Sequence, residues 1–208
     1  MLSGFTIQEF LAKAASNSPV PGGGSVAALS ASLAASLTEM VARLTIGKKG
    51  YELFEQEMKI IANEAFLLRK KFTQDIDNDA NAYNDVMSAY TLPKKTEEET
   101  LVRQQTIQDG LKQAALIPLD VAKGAAKLME STGKTVEKGN KNAITDGAVA
   151  AMMAKTAALS ALYNVKINLI LINDETFVEE ISKQVKHLEA EVVNREKEIR
   201  SLVDLQIR

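Results

Sequence analysis

Apolar side chains recur every three or four residues along almost the whole chain, the signature of helices that each bury one face. The longest run is Phe54, Met58, Ile61, Ala65, Leu68, Phe72, Ile76, Ala80, Tyr83 and Met87. No glycine or proline interrupts it, so it predicts a helix from about Tyr51 to Tyr90 extending ~60 Å at 1.5 Å per residue. A short first helix follows the capping box Thr6–Glu9 and carries Ile7, Phe10, Leu11 and Ala14 before the Asn17-Ser18-Pro19 break. The second, from about Ser25 to Ile46, has Ala27, Ala28, Ala31, Ala34 and Ala35, small enough for another helix to approach closely, which places it near the centre. A second capping box, Thr96–Glu99, opens a fourth helix to about Glu130, with a kink expected at Pro118 and a polar connection from Ser131 to Gly139. The fifth runs from an Asn140 or Asn142 cap to about Ile170, apolar nearly all round and hence buried. The last, after Asn173–Thr176, steps through Phe177, Ile181, Val185, Leu188, Val192, Ile199 and Leu202 amid dense charge, and is expected to cover the bundle or pair with a second subunit. The reading is all-α: one domain over residues 1–208, a bundle of about six antiparallel helices of which the first is short.

Composition narrows the chemistry. With 208 residues and a formal charge of −2, the chain has a domain-sized core and no electrostatic pull towards nucleic acid. Cysteine is absent, which removes disulfides and thiolate catalysis, and the single histidine, His187, reads as a surface residue, so no His-based metal site is expected. Neither a basic-then-apolar leader nor a run of 18 apolar residues is present, so a cytoplasmic protein without membrane contact is expected.

Four polar features stand out. Pro19-Val20-Pro21-Gly22-Gly23-Gly24-Ser25 runs directly into the second helix. Three glycines at a helix start suit an anion or polar ring edge, because free N–H groups face outward with no side chains in the way; taken alone, they read first as a sharp bend before the helix. Asp79 falls on or beside the apolar stripe of the long helix, with Asp77 farther round. A carboxylate facing a core must be paired or used, as a rim residue bonded to a neighbouring helix or as a functional acid. Gly139-Asn140-Lys141-Asn142 and Asp146 crowd the head of the fifth helix, where capping and the helix dipole explain one asparagine and the aspartate. Asn164 and Asn168 lie one turn apart in that helix and are expected to bond across helices, ligand contact being the alternative. Lys48 and Lys49 end the second helix, where cations complement the dipole.

Taken together, Ser18-Pro19-Val20-Pro21-Gly22-Gly23-Gly24-Ser25-Val26-Ala27-Ala28, Asp79-x-x-Ala82-Tyr83 with Leu92-Pro93-Lys94, Gly139-Asn140-x-Asn142-x-x-x-Asp146 and Asn164-Val165-x-Ile167-Asn168-Leu169 resemble, in order and spacing, the formiminotetrahydrofolate cyclodeaminase / methenyltetrahydrofolate cyclohydrolase family. The resemblance implies a helical homodimer with folate in a cleft near the dimer interface, no cofactor or metal, and a place in one-carbon folate metabolism and histidine degradation. It implies conversion of 5-formiminotetrahydrofolate to 5,10-methenyltetrahydrofolate with release of ammonia. The alternatives are hydrolysis of the methenyl bridge, or a non-catalytic folate-binding or oligomerisation module. Proton transfer falls to Asp79 and Asp146, with Asp77 in reserve. Gly22, Gly23, Gly24, Ser25, Asn140, Asn142 and Asn164 are the expected folate contacts, and Lys48, Lys49 or Lys94 would meet its glutamate tail.

Overall fold

The computed structural model describes residues 1–207, and among these the regular elements are helices alone. They are α1 (Ile7–Ala14), α2 (Gly23–Arg43), α3 (Glu55–Tyr90), α4 (Glu97–Lys138), α5 (Ile144–Leu169) and α6 (Glu175–Gln206). Both expected capping boxes form: Thr6 and Thr96 each accept from the backbone N–H three residues on, while Glu9 and Glu99 bond back to the cap.

Helices α2 to α5 make a four-helix bundle with antiparallel neighbours. Ser32 meets Thr73, Ser131 meets Glu64, and Gly147 lies under Val136, fixing α2 against α3, α3 against α4 and α4 against α5. Helix α6 closes the outside, held to α5 by Lys155–Glu196 and to α4 by Arg195–Glu130. Small residues set the spacing. A Cβ on Gly124 of α4 would lie 2.8 Å from the fully buried Phe72 ring of α3, and Ala27, Ala28, Ala31 and Ala35 of α2 are buried together with Ala151, Ala154 and Ala158 of α5. By composition, α2 and the segment Lys141–Leu169 would be apolar enough to cross a membrane, but 56% and 50% of those windows are buried inside the bundle.

The expected connection at Ser131–Gly139 is instead the last two turns of α4, which runs to Lys138. Its polar residues are the buried face. Thr132 donates to Leu128 O and Thr135 to Thr132 O, while Thr132 and Thr38 share a hydroxyl hydrogen bond of 2.8 Å across the bundle, so short hydroxyls satisfy themselves where the pattern calls for apolar side chains. The helix also continues unbroken through Pro118.

Candidate active site

Helix α2 starts two residues earlier than its apolar pattern suggests. Gly22 is the cap and Gly23 and Gly24 form the first turn, where N–H groups need no intrahelical acceptor. The reason lies on α3: a Cβ at Gly24 would sit 1.9 Å from Oδ1 of Asp79, so the carboxylate rests directly against the helix backbone. Gly23 is similarly covered, with the Asn164 amide nitrogen of α5 only 3.1 Å from where its Cβ would be. The glycine turn, Asp79 and Asn164 thus come from three helices to one place.

Beyond this point α3 overhangs the start of α2, and the next turns of its stripe have no α2 to cover them. Tyr83, Met87 and Tyr90 line a cleft of about 420 Å³ with Pro19, Val20, Leu111, Ile167, Asn168 and Leu171. That volume lies within the range of about 300–1,000 Å³ usual for small-molecule sites. Periodicity places these three side chains in a core stripe; only the relative lengths of α2 and α3 turn them into a wall. A larger groove of about 630 Å³ between the outer faces of α3 and α4, past Asn81, Asp85 and Asp109, is more open and reaches neither the glycine turn nor Asp79.

Burial pushes the Asp79 carboxyl above the usual carboxylate range, and hydrogen bonding by Ser25 pulls the other way. The buried Ser25 hydroxyl lies 2.8 Å from Asp79 Oδ2 and 3.0 Å from the carbonyl of Ile76. A single hydroxyl proton cannot serve both acceptors fully. If Asp79 is protonated, its O–H donates to Ser25 and Ser25 donates to Ile76, and every group is paired. The arrangement can therefore hold the carboxyl in its neutral form, as an acid able to give up a proton inside an apolar cleft.

The remaining sequence-derived candidates lie elsewhere in the chain. Asp77 is buried and holds the N-terminus: the backbone N–H groups of Leu2 and Ser3 and the Ser3 hydroxyl all donate to its carboxylate. Asn140, Asn142, Lys48, Lys49 and Asp146 gather where α2 ends and α5 begins, roughly 30 Å from the glycine turn along the 21 residues of α2. There Asn140 Oδ1 accepts from Lys48 Nζ at 2.6 Å and from Asn142 N at 3.1 Å, and its amide donates to Leu44 O. Lys94 is exposed on the loop between α3 and α4, four residues past Tyr90 of the cleft wall. One chain brings together Gly22, Gly23, Gly24, Ser25, Asp79 and Asn164, and not the others.

An all-helical domain with an acid set against a helix N-terminus in an apolar cleft is the class that fold and site define. Residues 6–187 match the formiminotransferase-cyclodeaminase family model, and the chain belongs to that family. It is 40% identical to the methenyltetrahydrofolate cyclohydrolase of Methylorubrum extorquens, over 89% of both chains. It is 32% identical to the formimidoyltransferase-cyclodeaminase of Rattus norvegicus over 88% of its own length, but spans only 34% of that longer protein. The formiminotetrahydrofolate cyclodeaminase crystal structure from Thermotoga maritima superposes with a TM-score of 0.89 at 32% identity, covering all of both chains.

Proposed function

We propose that the protein is a formiminotetrahydrofolate cyclodeaminase working in the Asp79 cleft. The observation that carries this reading is the half-buried carboxyl of Asp79, which burial pushes above the usual carboxylate range and which faces a cavity of ligand size. Ring closure needs a proton on the formimino nitrogen as N10 attacks the formimino carbon, removal of the N10 proton, and a proton on the amine as it leaves. One carboxyl can serve each in turn. Asp79 gives its proton to the imino nitrogen while the N10–carbon bond forms, takes the N10 proton back, and gives it to the amino group as the carbon–nitrogen bond breaks. The products are the 5,10-methenyl cation and ammonia, and Asp79 is reprotonated from solvent.

Hydrolysis of the methenyl bridge is the second reading, favoured by the 40% identity to a cyclohydrolase of matching length. In that reaction ionised Asp79 would take the proton of the attacking water. Purified protein supplied separately with 5-formiminotetrahydrofolate and 5,10-methenyltetrahydrofolate decides between them. Ammonia release from the first is the expected result; loss of methenyl absorbance faster than the spontaneous rate, without ammonia release from the formimino substrate, assigns the second. Turnover of neither overturns both.

In this reading the active unit is a homodimer formed through α2. Val26, Leu33, Met40 and Leu44 recur at intervals of seven, seven and four residues and are 36% to 49% exposed in one chain, and the adjacent α5 exposes Val149, Met152, Tyr163 and Ile167. Packing two such stripes antiparallel about a two-fold axis would set the first turn of one α2 beside the last turn of the other. Lys48, Asn142 and Asp146 of the second copy would then approach the cleft around Asp79, joining the two polar clusters that one chain keeps apart.

A further inference from the structure

Proline has no backbone N–H, so Pro118 leaves the carbonyl of Ala114, four residues back in α4, without its helical donor. Asn168 of α5 supplies the replacement. Its Nδ2 donates to Ala114 O at 3.1 Å and, with its other hydrogen, to Asn164 O at 2.8 Å. Both hydrogens are committed, and turning the amide over would press its oxygen against two carbonyl oxygens. The orientation is therefore fixed, and Oδ1 is left as an acceptor. Asn164 is fixed in the same sense: its Nδ2 donates to Ser160 O at 2.9 Å and its amide lies over Gly23. Both side chains line the cleft, and among the described residues no donor reaches either Oδ1.

Two acceptors one helical turn apart, with Cβ atoms about 5–6 Å from each other, suit a donor that carries two hydrogens. The two N–H bonds of a primary amino group diverge by about 120°, so at hydrogen bonds of about 2.9 Å they reach oxygens roughly 5 Å apart. Ring N–H groups have a single hydrogen and cannot span the pair. The amides are also neutral, so they accept without bringing a second ionisable group into the cleft beside Asp79.

We infer that Asn168 and Asn164 together hold the exocyclic 2-amino group of the substrate's pteridine ring, with Pro118 acting through Ala114 as the positioning residue for Asn168. This rests on the folate reading above, which the cyclodeaminase and cyclohydrolase reactions share.

The test compares binding of 5-formyltetrahydrofolate, a stable reduced folate, with its 2-desamino analogue. Wild-type protein is expected to bind the analogue at least tenfold more weakly, the size of one or two lost hydrogen bonds. In Asn168→Ala that ratio is expected to fall to threefold or less, because the amino group has lost one partner. Should that variant fail to fold because Ala114 O is orphaned, the double variant Pro118→Ala/Asn168→Ala restores a helical N–H to the carbonyl and is expected to show the same reduced ratio. A wild type that binds both ligands equally, or a folded variant that keeps the full ratio, overturns the assignment and leaves the cyclodeaminase reading intact. A wild type that binds no reduced folate removes that reading as well.

Discussion

Gly24 and Asp79 occupy one volume between them: the hydrogen on the glycine Cα stands where any larger substituent would lie 1.9 Å from the carboxylate oxygen. Gly24→Ala must displace either the side chain of Asp79 or the first turn of α2. Turnover of the folate substrate is expected to fall by about 10²-fold, the scale of losing a general acid, with a stability cost of about 1–3 kcal/mol for the overpacking. Steady-state kinetics beside a thermal melt checks it. Gly23→Ala meets only the Asn164 amide at 3.1 Å, which can give by a few tenths of an ångström, and is expected to be milder on both counts.

Asp79→Asn separates chemistry from stability. Its carboxyl titrates higher in the folded chain than in the unfolded one, so the folded state binds the proton more tightly. Stability then falls as pH rises from the unfolded value, about 3.9, through the raised folded value, and levels off above it. The amide escapes that loss. At neutral pH Asp79→Asn is expected to melt no lower than the wild type, and at a higher temperature if its amide keeps the Ser25 contact. Below about pH 4 any gain should vanish, because both proteins are then neutral at this position. Activity is expected to drop at least about 10²-fold at every pH. A full-activity variant would remove Asp79 from proton transfer.

Period and capping made the helices legible in the sequence: six stripes, two capping boxes and the glycine turn all predict elements that form. The last turns of α4 were hidden because Ser131, Thr132 and Thr135 look like loop composition, and only the partners on α2 and α3 show that their hydroxyls are buried. At the site, Asp79 and Ser25 are legible as a carboxylate on an apolar stripe and a residue after a glycine run. Tyr83, Met87 and Tyr90 are not, because whether a stripe meets a neighbour or a cavity depends on where the neighbouring helix begins. The distance between the two polar clusters is hidden for a related reason: both flank α2, and only the antiparallel packing of α5 shows that its own two polar ends fall at opposite ends of the bundle.

Leu33 lies midway along the exposed stripe of α2, 48% accessible in a single chain. Leu33→Glu should change the stability of an isolated chain little, within about 0.5 kcal/mol, as for other surface substitutions. At an antiparallel two-fold contact it would bring two carboxylates together in an apolar seam. Sedimentation is expected to report a dimer for the wild type and a monomer for the variant, with folate turnover falling alongside. A variant that stays dimeric with full turnover would move the interface away from α2.

Asn140 and Lys48 test whether the far cluster serves the fold, the ligand or both. The Asn140 side chain accepts from Lys48 Nζ and caps Asn142 N through Oδ1, and its amide donates to Leu44 O at the end of α2. Asn140→Ala is expected to cost about 2 kcal/mol, or roughly 4–8 °C in melting temperature for a chain of this size. Lys48 is different. Its ammonium is only part-buried and gives Asn140 one hydrogen bond, so Lys48→Met should cost less than half as much stability. In the proposed homodimer that ammonium would lie near the neighbouring cleft, and Lys48→Met is expected to raise KM for a polyglutamylated folate several-fold with kcat little changed. If KM and kcat are both untouched in a folded Lys48→Met dimer, the cluster is a structural tie between α2 and α5, and the anionic tail is bound elsewhere.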